Sequence, residues 1–178
     1  SVGYIFLKKD VFRLLKTVRE PVALGFATAS SESAYPKLMA ALEKFGVPKR
    51  ITSFVLPLGY SFNLDGSALY QSIAALFVAQ MYDVHLSLTE QIVLMATLMI
   101  ASKGMAGVPG VSIVVLLTTL GSMHLPAQGL ALIIGIDRLL DMVRTCVNVM
   151  GNALSTIVVA KWEKVYDKEK GQKYLNSL

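Results

Sequence analysis

Gly135-Ile-Asp137-Arg-Leu-Leu-Asp141-Met-Val-Arg144-Thr-Cys-Val-Asn148-Val-Met-Gly-Asn152-Ala-Leu-Ser155 is the stretch that decides how this chain is read. Asp137, Asp141, Arg144, Asn148, Asn152 and Ser155 follow one another at intervals of three or four residues. At about 100° per residue these positions form one narrow polar stripe on an otherwise apolar helix. An ionisable side chain at mid-bilayer costs at least ~2.5–3.5 kcal/mol on insertion scales, so a stripe holding three of them faces a cavity or a substrate. Asp141 and Arg144 stand at i, i+3 and could simply neutralise each other. A purely structural pair, however, can be replaced by apolar packing without loss, which favours a functional stripe.

The remainder of the chain argues for a membrane. Of 178 residues, 54% are hydrophobic and only 16% charged, and the mean hydropathy is +0.56. Soluble domains carry about 25% charge, so an ordinary water-soluble globule and a disordered segment are both disfavoured. The net charge of +5 and basic pI of 9.3 would suit nucleic acid in a polar chain. Here the basic residues lie at the ends of apolar stretches, which suits a membrane surface instead. The single cysteine, Cys146, excludes a disulfide framework within one chain, and His85 and His124 have no ligand-like neighbours. The chain opens at Ser1 inside an apolar segment without a signal-peptide pattern, and is read as a piece whose N-terminal part is missing.

Stretches free of Asp, Glu, Lys and Arg are 21–31, 51–64, 66–82, 91–102, 104–136 and 145–160. A simple spanning helix needs roughly 20 apolar residues. Only 104–136 exceeds that, and Gly107-Val-Pro-Gly110 and Pro126 interrupt it. Short apolar segments broken by Gly and Pro mark re-entrant hairpins and discontinuous helices. Basic residues cluster in 8–19, 43–50 and the tail after Lys161, whereas connectors 82–90 and 121–129 hold none. The positive-inside rule puts the first three on the cytoplasmic side and the last two outside. The expected path is the end of a transmembrane helix (1–19), a cytoplasmic-side hairpin (20–45), a broken helix crossing outward (51–82), an outer hairpin (90–122), a helix crossing inward (130–162) and a solvated cytoplasmic tail (163–178). The two halves run in opposite orientation, an inverted repeat. Asn63-Leu-Asp-Gly66-Ser-Ala68-Leu69 faintly echoes Asn148-Val-Met-Gly151-Asn-Ala153-Leu154.

Three other places carry chemistry. Ser61-Phe-Asn63-Leu-Asp65-Gly66-Ser67 puts Asn, Asp and Gly in mid-crossing, where they weaken a helix and free carbonyls. An unwound turn with an aspartate there would suit a cation, since hard cations want oxygen ligands. The alternative, a loop at a helix end, is weakened by the apolar residues on both sides. Ser30-Ser31-Glu32-Ser33 offers hydroxyls and amides at the first tip, suited to a carboxylate. Gly104, Gly107 and Gly110 let backbone approach a ligand closely and could hinge a lid. Glu32 and Lys103 are charges at buried tips, which is costly. Trp162 and Tyr166 read as interfacial anchors. The methionines and Cys146 read as packing. No nucleophile–base pair and no HExxH or GxSxG motif is present, so no catalytic residue is expected.

These motifs, together with Ala101-Ser-Lys-Gly-Met-Ala-Gly-Val-Pro-Gly110, make the chain resemble the C-terminal half of the dicarboxylate/amino acid:cation symporters, the glutamate transporter family. It looks closest to the bacterial proton/glutamate symporters, with the C4-dicarboxylate carriers near by. The resemblance implies an all-α membrane protein: an elevator transport domain of two re-entrant hairpins and two broken helices. It implies a homotrimer held by a missing N-terminal scaffold, and a multi-pass location in the bacterial inner membrane. Its cargo would be an acidic amino acid with a co-transported proton or sodium, without a cofactor and without nucleic acid.

Site roles follow from the same resemblance. Arg144 would pair with the substrate side-chain carboxylate, as a planar guanidinium suits, and Asp141 would hold the ammonium. Ser31, Ser67, Thr145 and Asn148 would orient the α-carboxylate, and Gly107 and Val108 would close over it. Glu32, Gly59, Asn63, Asp65, Lys103 and Asn152 would serve cation or proton coupling, with Asn63, Asp65 and Asn148 a candidate residual sodium site. Sodium-coupled members carry Asp where this chain has Asn152, and Lys103 and Met105 replace an apolar and a hydroxyl residue beside another sodium site. The expectation is that the Lys103 ammonium takes that cation's place. The proton-carrying Glu of the animal transporters is matched here by Gln71. Glu32, Asp65 and Asp141 remain open as proton carriers.

Overall fold

The computed structural model describes residues 10–103 and 109–177. Among them all regular structure is helical. Helix α1 (Asp10–Thr28) ends where Ala29 takes a left-handed conformation, φ +51. Ser30 then caps α2 (Ser31–Lys44), its hydroxyl accepting from Ser33 N–H at 3.3 Å. A connection this short forces the second helix back along the first. Helix α1 runs unbroken across the expected division at 19–20, through Pro21. One proline removes one helical hydrogen bond and kinks the helix, while Leu14 and Val18 before it are buried in a core and Gly25 after it lies close to Val149 and Thr145. The described part of 1–19 and the first arm of 20–45 are therefore one helix.

Helices α3 (Lys49–Phe62) and α4 (Asp65–Met81) are parted at Asn63-Leu64, the break that Asn63, Asp65 and Gly66 suggested. Helix α5 (Leu88–Ala101) opens with a capping box between Ser87 and Glu90. Helix α6 (Val111–Ser122) starts after Gly110, whose φ of +82 favours glycine. A 3₁₀ turn (Ala127–Gly129) leads into α7 (Leu130–Trp162), and α8 (Lys168–Asn176) ends the described chain.

Two differences from the sequence reading stand out. The second of the two expected broken helices is continuous: α7 runs for 33 residues. Its polar side chains do not free its backbone. They bond across to other helices, to one another as Arg144 does to Asp141, or back to carbonyls three or four residues earlier, as at Ser155, Thr145 and Thr156. The tail is helical, but it is not simply solvated. Asp167 N–H donates to Gly46 O at 2.9 Å, Tyr166 packs on Phe45, and Gly171 is buried against the Phe45 carbonyl. A Cβ at Gly46, φ +104, would lie 2.0 Å from Asp167 O.

Packing divides the molecule into two cores that share α7. The first joins Leu38, Leu42, Phe45, Leu56 and Tyr60 to Val149, Ala153 and Ile157. The second joins Ala75, Val78, Leu94, Leu98, Leu116 and Leu120 to Leu130 and Ile133. The polar part of α7, residues 137–148, lies between the two in sequence. Along the polar part of α7 the usual amphipathic order is inverted, while its two ends bury apolar residues in the cores. Asp137, Asp141, Arg144, Asn148 and Asn152 are buried, while Leu132, Ile136, Leu139, Val143 and Val147 are exposed. No helix among the described residues is long and apolar enough to cross a membrane by itself. Helix α1 has 19 residues but holds Asp10, Arg13, Lys16, Arg19 and Glu20. The remaining helices except α7 are shorter, and α7 carries Asp137, Arg138, Asp141 and Arg144 along its first half.

Candidate functional site

Broken and paired helices create ends inside the molecule, and ends carry unpaired backbone groups and partial charges. The site is built from side chains of other elements that satisfy those ends. At the start of α4, Gly66 N–H donates to Asn148 Oδ1 at 2.8 Å, and Asn148 Nδ2 donates to Ser67 Oγ at 3.2 Å. At the start of α6, Gly110 N–H donates to Asp141 Oδ2 at 3.1 Å. Acceptors, one of them anionic, thus meet the positive ends of two helices. The negative ends receive cations. Lys103 Nζ donates to Phe62 O at 2.7 Å at the end of α3, and Arg138 Nη2 reaches Thr28 O at 3.5 Å at the end of α1.

Arg144 is the centre of a buried charge cluster. Its Nε donates to Asp141 Oδ1 at 2.9 Å, and its Nη1 lies 3.6 Å from Asp137 Oδ1. Tyr70 donates its hydroxyl to the same Asp137 oxygen at 2.7 Å, and its ring lies 4.5 Å from the Arg144 guanidinium carbon, a cation–π distance. Arg144 Nη1 has no hydrogen-bond acceptor among the described residues. A guanidinium with an unused donor in a buried site can accept a further carboxylate.

A second cluster sits one and two turns further along α7. Asn63 Nδ2 donates to Asn152 Oδ1 at 3.2 Å. A methyl at Gly59 would lie 2.4 Å from that same Asn152 oxygen, so only glycine leaves Asn152 its place. Gly151 faces Asp65 Oδ2 and Asn63 Nδ2. Asn152 Nδ2 is buried without an acceptor among the described residues. Gly59, Asn63, Asp65 and Asn152 therefore come together, with Asn152 Oδ1 and Asp65 Oδ2 as the oxygens and the amide nitrogens of Asn63 and Asn152 beside them. Asp65 itself is exposed.

The fold thus gathers Ser67, Asp141, Arg144 and Asn148 at one level and Gly59, Asn63, Asp65 and Asn152 at the next. Thr145 is buried beside Asp141, but its hydroxyl bonds to Asp141 O of its own helix and its methyl faces Gly25. Ser31 is buried at the start of α2, whereas Glu32 is exposed in that first turn. Gly107 and Val108 lie outside the described residues, as do Gly104 and Met105. Two participants escaped the sequence reading. Tyr70 stands at i+3 from Ser67 on α4, on the face that meets α7, a spacing that could have revealed it. Arg138 lies off the stripe and had no such signal.

Comparison with known proteins adds the lineage. The chain is 56% identical over 169 residues to the proton/sodium-glutamate symport protein of Bacillus caldotenax, covering 95% of this chain and 40% of the relative. It is 56% identical over 165 residues to the proton/glutamate-aspartate symporter of Escherichia coli (strain K12), covering 93% and 38%. It is 46% identical over 169 residues to the C4-dicarboxylate transport protein of Pseudomonas fluorescens (strain SBW25), covering 94% and 38%. The chain spans about two fifths of the length of these relatives. The model of the sodium:dicarboxylate symporter family matches residues 1–162, and the chain belongs to that family.

Proposed function

We propose that this chain forms the cargo-binding part of a secondary active symporter that brings L-glutamate or L-aspartate into the cell, coupled to protons. The observation that carries the reading is the buried Asp141–Arg144 pair, at 2.9 Å, beside the amide of Gly110. An acidic amino acid offers a carboxylate to the free donor of Arg144 and an ammonium to Asp141, and a plain dicarboxylate has no use for the latter. The names of the relatives at 56% identity agree with this cargo. Ser31, Ser67 and Asn148 orient the α-carboxylate, Thr145 joins them once its hydroxyl leaves Asp141 O, and Gly107 and Val108 close over it.

Proton coupling is supported by two substitutions. Asn152 supplies no charge to the cluster of Gly59, Asn63 and Asp65, and affinity for cations follows ligand charge. Lys103 already holds an ammonium at the carboxyl end of α3, where a dissolved cation would otherwise be favoured. Asn63, Asp65 and Asn148 are the residual sodium site. The inverted amphipathicity of α7 and the apolar outer face fit a protein seated in lipid, here the bacterial inner membrane. There the helix pair α1–α2 serves as the cytoplasmic-side re-entrant hairpin and α5–α6 as the outer gate. The domain slides past a homotrimeric scaffold as an elevator.

The test is uptake of radiolabelled glutamate by the full-length protein in proteoliposomes, first with a pH gradient without sodium, then with a sodium gradient at equal pH. Uptake is expected under the first condition, and strict sodium dependence would overturn proton coupling. The C4-dicarboxylate relatives at 46% identity favour a second reading, which predicts that succinate or fumarate competes strongly with glutamate.

A further inference from the structure

The charge cluster at Arg144 does not balance. Two buried carboxylates, Asp137 and Asp141, face one guanidinium. Asp141 holds the near position, at 2.9 Å from Nε, and also accepts from Gly110 N–H. Asp137 holds the far one, 3.6 Å from Nη1 with no hydrogen bond to it, and its other support is the neutral hydroxyl of Tyr70. Among the described residues no ion pair brings a further cation to it, and Lys103 is bonded to Phe62 O. Helices α2 and α3, which also pack on α7, carry Lys37, Lys44, Lys49 and Arg50 without an ion pair to Asp137, with Glu32 exposed in the first turn of α2. Helix α6 carries no ionisable residue, and the only one in α5 is Glu90 in its first turn. The last turn of α1, Gly25 to Thr28, has none, and in α4 the ionisable residues are Asp65, at its start, and Tyr70. On α7 itself, Arg138 is exposed and directed to Thr28 O.

We propose that Asp137 is the group that takes up the transported proton. The assignment rests on the proton-coupled reading above and names its carrier, a residue outside the three left open by the sequence. When the side-chain carboxylate of the substrate reaches Arg144, the guanidinium has a third claimant. Asp141 stays ionised because the substrate ammonium joins it. Asp137, held at the longest distance, loses its share of the positive charge. An ionised carboxylate buried without a partner is costly, and carboxylates sharing one site take a proton between them. An O–H bond forms on Asp137 with a proton drawn from the outer aqueous phase. That bond breaks on the cytoplasmic side when the substrate leaves and Arg144 returns. No other bond changes.

The test uses the full-length protein. Binding of glutamate to the wild type should take up about one proton per substrate in weakly buffered solution. Its Kd should rise about tenfold per pH unit on the alkaline limb, the slope for one linked proton. In Asp137→Asn, which can still accept from Tyr70, proton uptake should vanish and the slope should flatten to less than about twofold per unit. Tyr70→Phe removes a hydrogen bond that favours the ionised form, so the midpoint of the wild-type profile should move to higher pH. A residue that merely props up Arg144 would move neither slope nor midpoint. An Asp137→Asn protein that keeps the wild-type slope and proton uptake overturns the assignment. If that variant is too damaged to bind, an unmoved midpoint in Tyr70→Phe overturns it instead. A wild type indifferent to pH overturns the proton-coupled reading, and the assignment falls with it.

Discussion

Arg144 serves several partners with one planar group: Asp141 by a hydrogen bond, Asp137 by charge and Tyr70 through its ring. Removing one side of a buried ion pair costs about 3–5 kcal/mol, because the partner stays buried and uncompensated. Arg144→Ala leaves two such partners. Glutamate binding, measured by calorimetry on the purified full-length protein, should weaken at least about a hundredfold. Unchanged affinity would remove Arg144 from the site. At this scale the sequence was informative for the stripe, since helical spacing alone put Asp137, Asp141, Arg144 and Asn148 on one face. Tyr70, whose helical spacing from Ser67 was there to be seen, was missed, and so was Arg138, for which there was no such sign. Their partners lie 67 and 110 residues away in the chain, and the second of these contacts follows no periodicity.

Helices are the next scale, and here the ends matter more than the middles. The break at Asn63-Leu64 was legible because Asn, Asp and Gly are poor helix formers within an apolar run. In α7 the spacing of the polar stripe reads as one helix, and the break there came only from the family resemblance; the helix runs on through Gly135 and Gly151. Helix α5 depends on its capping box, in which Glu90 Oε2 accepts from both the amide and the hydroxyl of Ser87 at 2.7 Å. These bonds hold the Glu90 carboxyl below its ordinary value. A carboxyl lowered by folding contributes stability above the unfolded value, and that contribution is lost as pH falls through the folded one. Glutamate titrates near 4.3 when free, so the start of α5 should fray below about pH 4 and be intact at neutral pH. Hydrogen exchange at residues 87–91, followed between pH 3 and 7 and corrected for intrinsic rates, checks this. Protection that does not fall with acidification would rule it out.

Across the whole molecule, two cores share one long helix, and the tail returns to the turn between α2 and α3. The sequence suggested the alternation of helix pairs and crossings through charge and run length. It could not show the docked tail, since that contact rests on two glycines that read as ordinary loop residues. A Cβ at Gly171 would lie 2.3 Å from the Phe45 carbonyl oxygen, a backbone atom that cannot step aside. Gly171→Val should therefore release α8 and leave both cores intact. Trypsin cleavage among Lys164, Lys168, Lys170 and Lys173 should accelerate on the order of tenfold, while cleavage elsewhere stays as in the wild type. A tail equally resistant in the variant would mean that the docking contributes nothing to its order.

Two buried carboxylates facing one guanidinium leave a single negative charge in excess, and so room for a single proton. With Asp137 as carrier, that proton enters beside a singly negative amino acid, and the pair moves no net charge through the bilayer. An elementary charge crossing 100 mV exchanges about 2.3 kcal/mol with the electric field, and this cargo would exchange none. Such a protein draws on the acidity difference alone. It would keep working in a cell whose membrane has been electrically depolarised, and it would stop in one whose interior has become as acidic as its surroundings.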